Sequence, residues 1–198
     1  MSKKVVAIVG SYRRGGIVDT AVAAVLEGAR MRGASTNTIY LTEKHIEFCT
    51  NCRTCTQEPG LERGKCVLED DLNGIVTEIE AADAIVLASS VNCGNVTAIF
   101  RRFMERLMGL GYWPWGQAAP KRRSRVRHLK AVLVASSAMP APMMLLFTGT
   151  ATALRTTATM LGAKTVGKLW LGLVAGKPHH ELSRRTLERA RRIGMKLA

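Results

Sequence analysis

Residues 5–16 of the chain read VVAIVGSYRRGG, and the predicted fold is built outward from this stretch. Its five leading apolar residues do not alternate with polar ones, which is typical of a strand buried on both faces. A helical pattern follows directly, with apolar residues at steps of three and four from Val18 to Ala29 and with Asp19 in the first turn. The stretch therefore predicts a buried strand, a glycine-bearing polar loop and the N-terminus of a helix.

The loop between this strand and this helix has the features of an anion-binding site. The backbone N–H groups of such a loop and the positive end of the helix dipole both face an incoming negative charge. Ser11 offers a hydroxyl group, and Arg13 offers a guanidinium fork that pairs with phosphate. The loop matches neither G-x-G-x-x-G nor the lysine-bearing P-loop. From the residues alone, it is either a phosphate site or an ordinary strand-to-helix turn.

Length and composition indicate a globular protein. The 198 residues suit a single domain over 1–198, and a hydrophobic content of 47% is ample for a core. No apolar run is long enough to cross a bilayer, and the first residues lead into a strand instead of a signal peptide. We expect a soluble cytoplasmic protein without a membrane partner. It carries a cysteine-rich insert at about 45–70 and a basic, aromatic loop at about 109–130.

The net charge is +14, and much of the excess lies in two clusters. Such charge attracts phosphate groups, nucleic acid or anionic membranes. The second cluster shares a predicted helix with core-type apolar residues, so a solvated helix face explains it better than a nucleic-acid site. Nucleic acid is therefore not an expected partner. The clusters are Lys121, Arg122, Arg123, Arg125, Arg127 and Lys130, and Arg184, Arg185, Arg189, Arg191 and Arg192.

Strand-like and helix-like segments alternate five times along the chain. Further strands are predicted at 36–41, 84–88, 131–135 and 165–173, and further helices at 72–82, 96–108, 143–161 and 178–197. This alternation is the signature of a parallel sheet with helices on both faces. We therefore expect an α/β, flavodoxin-like, doubly wound five-stranded sheet in the order 2-1-3-4-5. Its ligand would lie beyond the carboxyl ends of strands one and three.

The residues at those strand ends resemble the NADPH-dependent FMN reductase family, and especially its iron–sulfur flavoprotein branch, over nearly the whole chain. GSYRRGG at 10–16 resembles the FMN-phosphate loop of that family. ADAIVL at 82–87, the segment 91–96 and FMER at 103–106 resemble its third strand, flavin loop and helix. GKCVLEDD at 64–71 is similar to the end of its cysteine-rich insert.

The resemblance implies an FMN-dependent oxidoreductase or electron-transfer flavoprotein that passes electrons from NADPH, NADH or a redox protein to a small-molecule acceptor. Flavin sites in such proteins are often completed by a second subunit, so a homodimer or homotetramer is expected, with Tyr112–Trp115 near the contact. No general acid or base stands out, which suits hydride and electron transfer. The implied cofactor-binding residues are Ser11, Arg13, Gly15, Gly16 and Val18 near the phosphate, Ser90, Val91, Asn92, Cys93, Gly94, Asn95 and Val96 along the ring, and Ser136 and Ser137 at the ring edge.

Two departures from the family pattern affect this site. The family usually has Asn-Thr or Asn-Ser where this chain has Ile17-Val18, which removes a hydroxyl ligand of the phosphate. It usually has Pro-Val-Tyr-Phe where this chain has SVNC at 90–93, so the aromatic residue that faces the isoalloxazine ring is missing. Both changes predict weaker FMN binding or a different ligand. The alternative is a non-catalytic module that docks nucleic acid or an acidic protein on its basic surface.

Four of the five cysteines fall within eighteen residues, in the spacing Cys49-x2-Cys52-x2-Cys55-x10-Cys66. Cysteines two apart let several thiolates of one loop converge on a cluster or an ion. A 4Fe-4S cluster, a zinc ion, and free thiols or a disulfide all remain open, and the resemblance adds the iron–sulfur precedent. His45 is predicted to be a surface residue. The fifth cysteine, Cys93, is predicted to be a small buried hydrophobe.

Overall fold

The structure is a computed structural model that describes residues 2–123, 129–176 and 180–198. Its strands are β1 (Lys4–Val9), β2 (Ser35–Tyr40), β3 (Ala84–Asn92), β4 (Asn95–Val96), β5 (Gly111–Tyr112), β6 (Lys121–Arg122), β7 (Leu129–Ser136) and β8 (Ala163–Leu171). Its helices are α1 (Ile17–Arg30), α2 (Leu72–Glu80), α3 (Ala98–Glu105), α4 (Ala141–Phe147), α5 (Thr150–Met160) and α6 (Arg184–Gly194). In this part of the chain, no helix is both long and apolar enough to cross a membrane.

Five parallel strands form the main sheet in the order β2-β1-β3-β7-β8. Strand β1 lies next to the edge strand and pairs in parallel with β2 on one side and with the central strand β3 on the other. Strand β7 then pairs in parallel with β3 and β8. Numbered among the parallel strands alone, this is the order 2-1-3-4-5, and the prediction of a flavodoxin-like fold is confirmed.

Helices cover both faces of this sheet and create two apolar cores. Residues such as Ile8, Ile85 and Leu133 point into the core that α2, α3 and α5 cover. Val86 and Val134 belong to the core on the other face, under α1 and α6. Because both faces are buried, the central strands contain continuous apolar runs at 5–9, 84–88 and 131–135, which explains the lack of alternation in the sequence there.

Helices α1 and α6 meet backbone to backbone. A Cβ atom at Gly28 would lie 2.0 Å from the carbonyl oxygen of Arg191, and one at Gly194 would lie 1.8 Å from that of Val25. Beside this contact, Arg191 Nε donates to the Glu27 carboxylate at 2.8 Å. Any side chain at the two glycine positions would push the helices apart, so the close approach requires glycine there.

The start of α3 is fastened to the end of β1. The hydroxyl of Thr97 accepts a hydrogen bond from Phe100 N at 3.3 Å and donates one to the carbonyl oxygen of Gly10. The N–H of Gly10 donates to Ala88 O on β3 at 2.8 Å. A Cβ atom at Gly10 would lie 2.7 Å from the Cβ of Phe100, so glycine lets α3 approach this closely. The contact sets the loops after β1 and β3 side by side at one edge of the sheet.

The helix predicted at 143–161 is wrong, because the structure divides it into α4 and α5. The division falls at Gly149, whose N–H donates to Gly94 O at 2.9 Å. A Cβ atom at Gly149 would lie 2.7 Å from Asn95 Nδ2. The turn between β3 and β4 therefore occupies the place where a continuous helix would run.

Other predicted bounds also shift. The segment 90–95 is predicted as a loop, but the structure forms an antiparallel pair of strands there, from the end of β3 and the start of β4. The turn between them lies at Cys93 and Gly94, whose φ angles are 47° and 75°. The third helix ends at Glu105 and continues as a 3-10 turn to Leu110, and the last strand runs over 163–171. The last helix begins at Arg184, because the side chain of Ser183 caps it by accepting from Thr186 N at 3.2 Å. The start predicted for it, at 178, lies outside the described residues.

The predicted cysteine-rich insert and the predicted basic, aromatic loop pack against each other. The cysteine-rich segment 45–70 lies between β2 and α2, and Gly64 N in it donates to Gly109 O at 2.8 Å. The basic, aromatic segment 109–130 contains the small antiparallel hairpin of β5 and β6. Arg125 and Arg127 of its basic cluster lie outside the described residues.

Candidate functional site

A cleft of about 580 Å³ opens at the carboxyl edge of the sheet. Its volume lies within the range of about 300–1,000 Å³ that is usual for small-molecule and cofactor sites. The walls come from the ends of β1, β3, β7 and β8, so the cleft lies where the fold predicts a ligand. The predicted site residues that line it are Ser11, Arg13, Val18, Ser90, Val91, Asn92, Ser136 and Ser137.

The other predicted cofactor residues shape the cleft without lining it. Gly15 and Gly16 form the turn into α1, and Gly16 is the residue immediately before that helix. Cys93, Gly94, Asn95 and Val96 form the turn after β3 and the short return strand β4. Cys93 is exposed, which corrects the prediction that it is a buried hydrophobe: the tight turn directs its side chain away from the core.

Sequence reasoning missed part of the lining. Tyr12 and Ile17 flank predicted residues, whereas Ala138 and the segment 174–176 come from the ends of β7 and β8. Tyr12 carried a visible signal, because it is an aromatic residue inside the predicted phosphate loop. The segment 174–176 reads VAG and carries no chemical signal of its own.

The loop after β1 is held in shape by Asp19. Gly15 N donates to Asp19 Oδ2 at 2.7 Å, and the hydroxyl of Tyr40 donates to Asp19 Oδ1 at 2.6 Å. Burial, together with the hydrogen bond and the charge of Asp19, raises the pKa of Tyr40. Ser11 Oγ, which is buried, accepts from Arg13 N at 3.3 Å. These hydrogen bonds support the conformation in which the loop lines the cleft.

The start of α1 favours an anion. Among the described residues, no side chain caps this helix, so its first N–H groups are left to water or to a ligand. Arg13 lines the cleft beside them. Arg14 is turned away toward the Tyr40 ring, with 3.3 Å between its guanidinium carbon and the ring centroid, and it pairs with Glu43 at 3.2 Å. The helix start, Ser11 and Arg13 thus fit the phosphate of FMN, and the remaining cleft has room for its ring system.

The four clustered cysteines are all free, and the other three lie near enough to Cys55 to affect its thiol. Burial, and then the charges of Cys66, Cys49 and Cys52, raise the pKa of the Cys55 thiol. Cys52 is exposed, and hydrogen bonds from Thr54 lower its pKa. Within the described residues, however, no three His, Cys, Asp or Glu side chains are arranged to hold a metal ion. Four thiols in one segment are suitable ligands for a metal ion or an iron–sulfur cluster. The structure, however, does not bring their sulfur atoms together around a common point.

A buried ion pair anchors this cysteine segment to the end of α3. Arg106 Nη1 donates to Asp70 Oδ2 at 2.5 Å and to Glu47 O at 2.8 Å, and both charged side chains are 1% exposed. Arg106 Nη2 lies 3.5 Å from Cys66 Sγ. Asp70 also accepts from the N–H groups of Glu47 and Leu72, at 2.8 and 3.0 Å. A single guanidinium group therefore links a carboxylate, a carbonyl and a cysteine sulfur.

The aromatic segment also packs against the cysteine segment, through Arg53. The guanidinium carbon of Arg53 lies 4.1 Å from the ring centroids of both Trp113 and Trp115. Arg53 Nη2 also donates to Trp113 O at 2.6 Å. Trp113 and Trp115 therefore make contacts within this chain, although the sequence predicts that they lie near a subunit contact.

His45 is exposed and lies 2.8 Å from Glu47, so its prediction as a surface residue is confirmed.

Curated relatives match part of the chain by sequence. An "iron-sulfur flavoprotein" of Archaeoglobus fulgidus is 34% identical over 111 residues, which is 56% of this chain and 48% of that protein. One of Methanosarcina thermophila is 31% identical over 103 residues, or 52% of this chain and 51% of that protein. The chain thus spans about half the length of the curated relatives it matches.

Solved structures share the fold at lower identity. An NAD(P)H:quinone oxidoreductase from Methanothermobacter marburgensis superposes with a TM-score of 0.74 at 20% identity and covers 100% of both chains. An FMN-dependent NADH-azoreductase from Bacillus anthracis, in complex with FMN, gives 0.70 at 11% identity and covers 99% of this chain and 100% of that one. The sequence profile described as NADPH-dependent FMN reductase matches residues 3–176. This match covers most of the chain and shows that the chain belongs to the NADPH-dependent FMN reductase family.

Proposed function

We propose that the protein is an FMN-dependent oxidoreductase that passes electrons from NADPH or NADH, or from a redox protein, to a small-molecule acceptor. The observation that carries the proposal is the cleft in which Ser11, Arg13 and the uncapped start of α1 meet the ends of β3 and β7. FMN supplies the hydride and electron chemistry when it is bound. NADPH as donor follows from the family, and quinones and azo compounds are the acceptors named for proteins of the same fold.

Different residues of the cleft would bind the phosphate and the ring system of FMN. Arg13 and Ser11 would hold the phosphate, with the N–H groups at the start of α1 opposing its charge. Asp19 would hold the loop in this conformation, because its carboxylate accepts hydrogen bonds from Gly15 N and from the Tyr40 hydroxyl. The polar groups of Ser90, Asn92, Ser136 and Ser137 would orient the ring system.

Arg13→Ala tests the phosphate site. We expect the variant to bind FMN about 10- to 150-fold more weakly, which corresponds to the roughly 1.5–3 kcal/mol of a hydrogen bond to a charged group. Riboflavin lacks the phosphate, so its affinity should change little. Titration followed by flavin absorbance and fluorescence measures both ligands. Arg185→Ala, on the exposed face of α6, is the matched control and should bind both flavins as the wild type does.

A wild-type protein that shows no bound flavin at saturating FMN would contradict the proposal. That result would favour the alternative, a non-catalytic binding module. If riboflavin bound as tightly as FMN, the cleft would still be a flavin site. The loop after β1 would then not be a phosphate site.

We further propose that Cys49, Cys52, Cys55 and Cys66 ligate a 4Fe-4S cluster as a second redox centre. The support is chemical: three of the four thiols of this segment lie near enough to Cys55 to affect it, and Arg106 and Thr54 direct hydrogen bonds to the sulfur atoms of Cys66 and Cys52. Hydrogen bonds to the sulfurs are among the features that tune such clusters. Ligation would require the four sulfur atoms to draw closer together than they are. Zinc would use the same thiolates without redox chemistry.

Free thiols also agree with a reducing compartment, and we propose a cytoplasmic location on that ground.

The protein is proposed to act as a homodimer or homotetramer. Two apolar surfaces could form the contact: Trp115 in the predicted aromatic segment, which is 67% exposed, and α4, where Leu146 is 78% and Phe147 is 70% exposed. Exposed apolar patches of this kind mark interaction sites. Light scattering at micromolar concentration should give at least a dimer, and a monomer would contradict this proposal.

Substitutions at the two surfaces distinguish them. If α4 forms the contact, the double variant Leu146→Ser and Phe147→Ser should dissociate the oligomer, and Trp115→Ser should leave it intact. The reverse outcome would place the contact at the aromatic segment, as the sequence predicts.

A further inference from the structure

Tyr12 occupies a distinctive position in the cleft. Of the described residues that line the cleft, it alone is aromatic. Its backbone belongs to the loop after β1, between Ser11 and Arg13, but its hydroxyl oxygen accepts a hydrogen bond from Ile99 N at 3.3 Å. The side chain thus reaches from the predicted phosphate loop to the second residue of α3.

This anchoring fixes the ring and leaves much of it accessible. Tyr12 is 54% exposed, although its hydroxyl contacts the backbone of a helix. Helix α3 follows β4, which pairs with the end of β3 that lines the cleft. Tyr12 therefore lines the same cleft as Ser90, Val91 and Asn92, while its hydroxyl is anchored to the start of α3.

The rest of the lining does not supply a comparable surface. Beyond Tyr12, the described lining residues are serines, an asparagine, an arginine, a glycine and small or branched aliphatic residues. A planar aromatic ligand gains most from an aromatic wall held in an offset or edge contact. A side chain that is already anchored loses little rotational freedom when such a ligand binds.

We propose that Tyr12 makes the aromatic contact to the isoalloxazine ring of the flavin. This inference rests on the proposed function, because it requires FMN in the cleft. The hydroxyl oxygen accepts from Ile99 N, so the phenol proton remains available for a hydrogen bond to the ligand. Tyr12 is then a binding residue that orients the ring, in addition to the serine and asparagine groups at the ends of β3 and β7.

Flavin fluorescence provides the test. A tyrosine in contact with an excited flavin quenches its emission by donating an electron, whereas leucine and phenylalanine do not donate one. We expect FMN bound to the wild type to be weakly fluorescent and FMN bound to Tyr12→Leu to be several-fold brighter, with a longer lifetime. Tyr12→Phe should also be brighter, but should bind FMN more tightly than the leucine variant because it keeps an aromatic ring. Tyr12→Trp should keep the quenching.

Tyr112→Leu, on β5 and outside the cleft lining, is the matched control and should quench as the wild type does. Equal emission from bound FMN in the wild type, Tyr12→Leu and Tyr12→Phe would overturn the proposal while leaving FMN binding established. A wild type that binds no FMN, detected by the absence of flavin absorbance after gel filtration, would remove the proposed function and this inference together. Circular dichroism of each variant confirms that the fold is retained, and Tyr12→Phe provides the comparison if the leucine variant does not fold.

Discussion

Arg106→Met should destabilise the protein by about 3–5 kcal/mol, the usual cost of breaking a buried ion pair by removing one partner. The Asp70 carboxylate would remain buried, 1% exposed, with only the backbone N–H groups of Glu47 and Leu72 to compensate its charge. Urea unfolding measures the loss. Combining Arg106→Met with Asp70→Asn should recover part of it, because asparagine carries no charge and keeps one of the two oxygens that accept from Glu47 N and Leu72 N.

A surface pair gives the matched control. Arg101 pairs with Glu105 at 3.4 Å on the exposed side of α3, and Arg101→Met should cost less than about 1 kcal/mol. If Arg106→Met cost as little as Arg101→Met, the buried pair would not anchor the cysteine segment.

The pH dependence follows from the direction of the Asp70 shift. Burial alone would raise the pKa of Asp70, but hydrogen bonds from Arg106 and from the backbone of Glu47 and Leu72 outweigh it and hold this pKa below its usual value. The contribution of the pair to stability is therefore complete above the unfolded pKa of about 3.9. It is lost as the pH falls through the lower, folded pKa. The stability difference between the wild type and the Arg106→Met, Asp70→Asn variant should shrink below about pH 4.

Anaerobic reconstitution with iron and sulfide should load about four irons and four sulfides per chain, as a cysteine-ligated cubane cluster requires. Cys66→Ser should lose most of this iron, since serine replaces one of the four thiolates. Flavin binding should persist in that variant, because the cysteine segment lies outside the main sheet. Iron and sulfide analysis, together with the visible spectrum, provide the measurement.

Cys93→Ser is the internal control for this experiment. Cys93 lies in the turn between β3 and β4, apart from the cysteine segment, and its replacement should leave the iron content unchanged. The cluster is contradicted if, after reconstitution, all four clustered thiols still react fully with an alkylating reagent. Protein that binds zinc and no iron would assign the same ligands to a structural metal.

The fold could be predicted because its central strands are buried on both faces. The apolar runs of β1, β3 and β7 carry that signal locally, and the amphipathic helices between them impose parallel pairing. The division of the predicted helix 143–161 into two helices could not be predicted from the local sequence. The apolar pattern continues through Gly149, and the break depends on a contact with Gly94 and Asn95, which lie far away in the sequence.

The candidate cleft was predictable where it depends on strand ends. Ser11, Ser90 and Ser136 each follow or end a central strand, and parallel pairing brings those ends to one edge. The exposure of Cys93 depends on the turn geometry between β3 and β4, which the residue type does not reveal. The burial of Arg106 also could not be predicted from the sequence, since an arginine at the end of a helix is ordinarily exposed.

The close contact between α1 and α6 has a consequence for how the chain folds during synthesis. Arg191 and Glu27, which pair beside Gly28 and Gly194, are 164 positions apart in the sequence. Contacts of such long range form late, because the intervening chain must first be ordered. While the chain emerges from the ribosome, the surface of α1 that receives α6 stays uncovered until α6 has emerged as well, so this apolar surface is open to aggregation for nearly the whole of synthesis.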